Sequence, residues 1–122
     1  FIINNPNLPA DKVPYWDFDA PGKPNVERDA SAGAIYASAL LELSPYTDAA
    51  SARKYRSVAE TILRTLSSPA FKAPLGTNGG FILEHSVGHK PKNVAVNVPL
   101  TYADYYFAEA MLRYMNMDKN LN

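Results

Sequence analysis

The sequence predicts an all-α chain of three main helices, laid out as part of a double-ring helical barrel. Three observations carry that prediction. A segment at about 30–43, rich in Ala, Ser and Gly, is joined by a four-residue turn to an amphipathic segment at about 48–66. A third helical pattern, from about Pro99 to Met115, is apolar on nearly every side. Small-residue or all-round apolar helices belong inside, and an amphipathic helix screens them from water, so the alternation fits an inner ring covered by an outer one.

The elements follow in order. Phe1-Ile2-Ile3 before Asn4-Asn5-Pro6 reads as the last turn of a helix, stopped by Pro6 and Pro9. Beginning in mid-element predicts a piece of a longer protein. Between Pro6 and Pro24 five prolines and the run Tyr15-Trp16-Asp17-Phe18-Asp19 make an ordered irregular loop, too aromatic for a flexible linker. Asp29 is placed to cap the first helix, where Ala32, Ile35, Tyr36, Ala39, Leu40 and Leu43 recur at helical spacing until Ser44-Pro45. The second starts at Thr47 or Asp48, and Tyr55, Val58, Ala59, Ile62, Leu63 and Leu66 form its buried stripe. From Ser67 to Pro99 glycines and prolines break the pattern, with a short strand predicted at Phe81–His85; so long a loop is more often functional than decorative.

With 122 residues, segment 1–122 amounts to one domain or part of one, and three helices alone bury little, a second reason to expect a missing portion. Twelve Lys and Arg balance twelve Asp and Glu, which argues against a partner held by phosphate charge, so no nucleic acid is expected. No apolar run approaches the ~18 residues of a membrane span. Without cysteine there is no disulfide frame, thiol nucleophile or thiolate metal ligand, and the compartment stays unread.

Four motifs then stand in order: Val13-Pro14-Tyr15-Trp16-Asp17-Phe18-Asp19-Ala20-Pro21, Arg28-Asp29-Ala30-Ser31-Ala32, His85-Ser86-Val87-Gly88-His89-Lys90-Pro91 and Thr101-Tyr102-Ala103-Asp104-Tyr105-Tyr106-Phe107. Together they resemble the C-terminal third of unsaturated glucuronyl hydrolases, glycoside hydrolase family 88, from about Val13 to Tyr114. The resemblance implies a partial (α/α)6 barrel, the last helices of a six-hairpin toroid. It implies a substrate too: unsaturated uronic-acid disaccharides released from glycosaminoglycans by polysaccharide lyases. Family members hydrate the C4–C5 double bond with an Asp as general acid and base, and the glycosidic bond is lost as the hemiketal opens. The Asp residues credited with that step match nothing in this chain, so no catalytic residue is expected here and the chain alone is expected to be inactive. Two other readings stay open: a small helical interaction module without catalysis, and a related barrel hydrolase of unsaturated rhamnogalacturonan products, against which the Trp-Asp-Phe-Asp and His-Ser-Val-Gly-His-Lys-Pro segments speak.

Candidate substrate contacts are Trp16, Arg28, Ser86, His89, Lys90 and Tyr102. An indole stacks on a sugar ring, and an arginine fork matches a uronate carboxylate. Family members preferring sulphated sugars look to carry Ser-x-x-Ser-x-Lys, of which only Ser86 matches here, with His89 and Pro91 at the other positions. Lys90 or Lys92 would then act as point charges. Asp17, Asp29, His85 and Asp104 have competing structural readings as turn, cap or tie residues. His85 and His89 are four apart but flanked by Gly88 and Pro91, which disfavour the helix a metal pair needs, so neither metal nor cofactor is expected. The expected partners are the disaccharide, the missing N-terminal portion of the same protein, or a second copy.

Overall fold

The structure, a computed structural model, describes residues 1–119. Three α-helices carry it: α1 (Ala30–Leu43), α2 (Ala49–Leu66) and α3 (Thr101–Lys119), with a hairpin of β1 (Ser86–His89) and β2 (Val94–Val98) before α3. Asp29 caps α1 by accepting from the Ser31 amide, and Asp48 caps α2 by accepting from Ala50 and Ser51. Those Ser51 bonds, through hydroxyl and amide, also hold the Asp48 carboxyl below the usual range. Between the two helices Ser44–Tyr46 forms a single 3-10 turn, so α2 returns antiparallel to α1.

Helix α1 lies between α2 and α3. Its partners on α3 advance in step: Ser38 meets Glu109 and Arg113, and Glu42 meets Arg113 at 2.9 Å. The two helices therefore run parallel, with both amino ends at the hairpin end of the molecule. Small side chains, Ala30, Ala34 and Ala37 on α1 and Ala103 and Ala110 on α3, are wholly buried and let the pair approach closely. Ala59, Ile62, Leu63 and Leu66 bury α2 against the other side of α1, and Val13, Phe71 and Leu83 seal the core at the hairpin end. Parallel inner helices backed by an antiparallel outer one are the repeat of a double ring.

Several expectations need correction. Phe1–Ile3 is not an α-helical end but a 3-10 turn over Ile2–Asn4. Phe81–His85 is not a strand: the Ile82 and Leu83 amides donate to the Asp104 carboxylate (2.7 and 2.9 Å), leaving only an isolated bridge between Leu83 and Lys72. The strands lie further on, joined through a 3-10 turn at Lys90–Lys92 and a left-handed Asn93. Helix α3 begins two residues after Pro99 and extends past Met115 to Lys119. Nor is it covered all round. Tyr105, Leu112 and Met115, at helical spacing, are 60, 59 and 52% exposed, with Ala108 exposed between them. At the other edge Tyr36, Ala39, Leu40 and Leu43 of α1 line an apolar groove against Ile2 and Ile3. Two open apolar edges on either side of a closed core are what a sector cut from a ring presents.

Candidate functional site

Most of the residues singled out from sequence collect at the hairpin end. Two incoming segments build it. The aromatic loop pairs with the approach to α1 through a Tyr15–Arg28 bridge, where the Trp16 amide donates to Glu27 O (3.0 Å) and the Asp29 amide to Pro14 O (2.9 Å). The long loop is tied down by Asp104 and by the Ala30 amide, which donates to His85 O.

Arg28 is held inward. Its Nε–H donates to Val13 O at 3.0 Å, its fork pairs with Asp11, and the guanidinium lies 5.2 Å from the Tyr15 ring centre and 5.7 Å from that of Phe71. Asp29 accepts from the amide and hydroxyl of Ser31 and from the Val87 amide (3.2 Å), stitching β1 to the start of α1. That carboxylate, after the larger effect of burial, helps push the Tyr36 hydroxyl up. Asp17 closes a turn by accepting from the Asp19 amide. These aspartates are framework, and Asp104 joins them through its two loop amides.

Ser86 is fully buried and offers no surface to a ligand in this chain; its hydroxyl has no hydrogen-bond partner among the described residues. Lys90 pairs with Glu27 and holds that carboxyl below the usual range. His89 is exposed and accepts from the Lys92 amide through Nδ1 at 3.2 Å, which puts its neutral-state proton on the outward Nε2. Tyr102 stands exposed on the first turn of α3, and Trp16 is half-buried. No group of three metal-ligating side chains comes together among the described residues, and His85 and His89 make separate contacts.

Beside them lies a cleft of about 550 Å³ between the aromatic loop, the segment after α2 and the hairpin, lined by Asp11, Glu27, Arg28, Phe71, His85 and Asn97 among others. His85 Nδ1 is 2.6 Å from Asn97 Oδ1, so Nδ1 carries the proton of that bond, and His85 Nε2 is 3.7 Å from the Glu84 carboxylate. Asn97 arrives there through a bulge: Ser86 faces Val98 and Val87 faces Val96, leaving Asn97 as the extra residue, at φ 56.

No family model matches the sequence. The unsaturated glucuronyl hydrolase of Formosa agariphila is 46% identical over 117 residues, 96% of this chain and 28% of that protein. Its counterpart in Bacillus sp. is 34% identical over 87% of the chain and 28% of its own length. The crystal structure of an unsaturated glucuronyl hydrolase specific for heparin matches with a TM-score of 0.94 and 50% identity, over 98% of this chain and 32% of that one. The chain belongs to the unsaturated glucuronyl hydrolase family. It spans under a third of the length of these relatives. The unsaturated glucuronyl hydrolase of Streptococcus agalactiae, one of whose crystal structures is a complex with dGlcA-GalNAc6S, matches at TM-score 0.79 and 28% identity. The three helices are thus part of an (α/α)6 barrel, to which the hairpin is an addition.

Within this family segment, sequence reasoning missed Asn97, Glu27, Asp11 and Phe71 as lining residues. The alternation Val94-Ala95-Val96-Asn97-Val98 was the available signal for β2, and its polar member is the one that turns into the cleft.

Proposed function

We propose that this chain is one sector of the catalytic barrel of an enzyme that removes an unsaturated uronic acid from lyase-generated disaccharides by hydrating its C4–C5 double bond. The observation that carries this reading is the match to the heparin-specific enzyme at half-identity across nearly the whole chain. Heparin-type disaccharides are the favoured substrates, because identity to the unsaturated chondroitin disaccharide hydrolases of Streptococcus is only 30–32%. The proton-transferring Asp lies outside these residues; Asp17, Asp29 and Asp104 are engaged in turn, cap and loop ties. The contribution of this chain is to wall the pocket at its hairpin end, with Trp16, His89, Lys90 and Tyr102 facing the sugar next to the reacting one and Arg28 and Ser86 behind them. The apolar edges of α1 and α3 receive the remaining helices of the same protein.

The test compares the intact protein with the 122-residue chain on an unsaturated uronyl disaccharide, following loss of the double-bond absorbance. Turnover by the intact protein and none by the chain supports the reading. Turnover by the isolated chain, or none by the intact protein, overturns it.

A further inference from the structure

We propose that the cleft between Arg28, His85 and Asn97 is a binding site for an uncharged saccharide unit. This deepens the reading of the chain as a pocket wall by naming residues and a ligand class for them. The size is suitable, since about 550 Å³ lies within the ~300–1,000 Å³ span of small-molecule clefts.

The lining supplies direction without charge. Of the lining residues, Arg28 is paired with Asp11, and the Glu27 carboxylate is met by Lys90. Hydrogen-bonding capacity remains after those pairings. Bonded through Oδ1 to His85, Asn97 keeps both protons of its amide nitrogen. The carboxylates of Asp11 and Glu27 each have a second oxygen for a hydroxyl donor. Fixed donors and acceptors with little net charge suit a ring of hydroxyls better than a carboxylate or a sulphate.

Backbone geometry points the same way. His85 (φ 62) and Asn97 (φ 56) both sit in the left-handed region, and a non-glycine residue held there costs about 1–3 kcal/mol. Asparagine and histidine are among the non-glycine residues that adopt it most often. Here that conformation accompanies the placement of both side chains against one cleft. The bulge turns Asn97 out of the regular ladder, and bulges are over-represented next to active sites.

The test titrates the intact protein, labelled for NMR at histidine and asparagine side chains, with N-acetylglucosamine, galactose and glucuronate. Saturable shifts of the His85 and Asn97 signals with a neutral sugar, and weaker ones with glucuronate, support the proposal. Asn97→Asp keeps a residue that tolerates the backbone but removes the amide donor, and should weaken neutral-sugar binding about five- to tenfold, the worth of one hydrogen bond. Glu27→Gln is the independent check, because it leaves Lys90 unpaired and should move preference toward glucuronate. Absence of saturable binding, stronger binding of glucuronate by the parent protein, or indifference to both substitutions overturns the proposal. Turnover of the unsaturated disaccharide is scored separately: a protein that turns it over yet leaves the cleft signals unmoved sinks this inference and not the enzymatic reading.

Discussion

Arg28 offers the sharpest prediction, because an arginine among sugar-binding candidates is easily taken for a substrate reader. The structure makes it a strut. Removing it in Arg28→Ala deletes a charged hydrogen bond to the buried Val13 carbonyl, worth about 1.5 kcal/mol. The half-exposed ion pair with Asp11 adds about 0.5 kcal/mol after solvent screening. Contacts with the Tyr15 and Phe71 rings add about 0.5 kcal/mol each. The loss of about 3 kcal/mol falls on the junction between the aromatic loop and α1, and should speed exchange of the Trp16 and Asp29 amides about a hundredfold by local opening. Arg28→Lys keeps the charge but not the fork and should lose about half as much. Hydrogen exchange read amide by amide is the assay. Exchange at Trp16 and Asp29 within about threefold of the parent in Arg28→Ala would refute the strut.

A Cβ on Gly88 would lie 2.9 Å from that of Ala95, so Gly88→Ala should loosen the hairpin by about 1–3 kcal/mol; Ala95→Gly, at a left-handed φ of 51, should restore it, measured as exchange at Val87. Glu27 has its carboxyl lowered mainly by the Lys90 hydrogen bond, so its contribution is complete above the ordinary value of 4.5 and is lost as pH falls through the depressed folded value. Lys90→Met should bring its titration by NMR back up. Asp104→Ala orphans the Ile82 and Leu83 amides and should cost about 2 kcal/mol in urea unfolding, Asp104→Asn about half that, with the pH optimum of the intact enzyme unmoved. Leu112→Gln with Met115→Gln should reduce self-association of the isolated chain in sedimentation and, on the proposal that the remaining helices pack on that face, destabilise the intact protein.

Both helical boundaries that rest on caps were legible in advance, because Asp29 and Asp48 act within their own first turns. The inner–outer alternation was legible too, since the Ala-rich α1 and the striped α2 differ in composition. What local pattern hides is long-range bonding. Phe81–Leu83 has the composition of a strand, but its amides are claimed by a carboxylate more than twenty residues away in α3. The same limit applied at the cleft. Nothing near Asn97 in sequence announces that a bulge will turn it toward His85, and nothing near Arg28 announces Asp11 and two rings.

The parallel course of α1 and α3 has an electrical result. Each helix delivers the positive pole of its peptide dipoles to the same rim, and each has an aspartate in its cap or first turn to meet it, Asp29 and Asp104. The two poles, Lys90 and Arg28 are each met by a carboxylate of the same chain. Ionic strength should therefore leave whatever the rim grips almost untouched, and selection there falls to shape and to the aim of single protons.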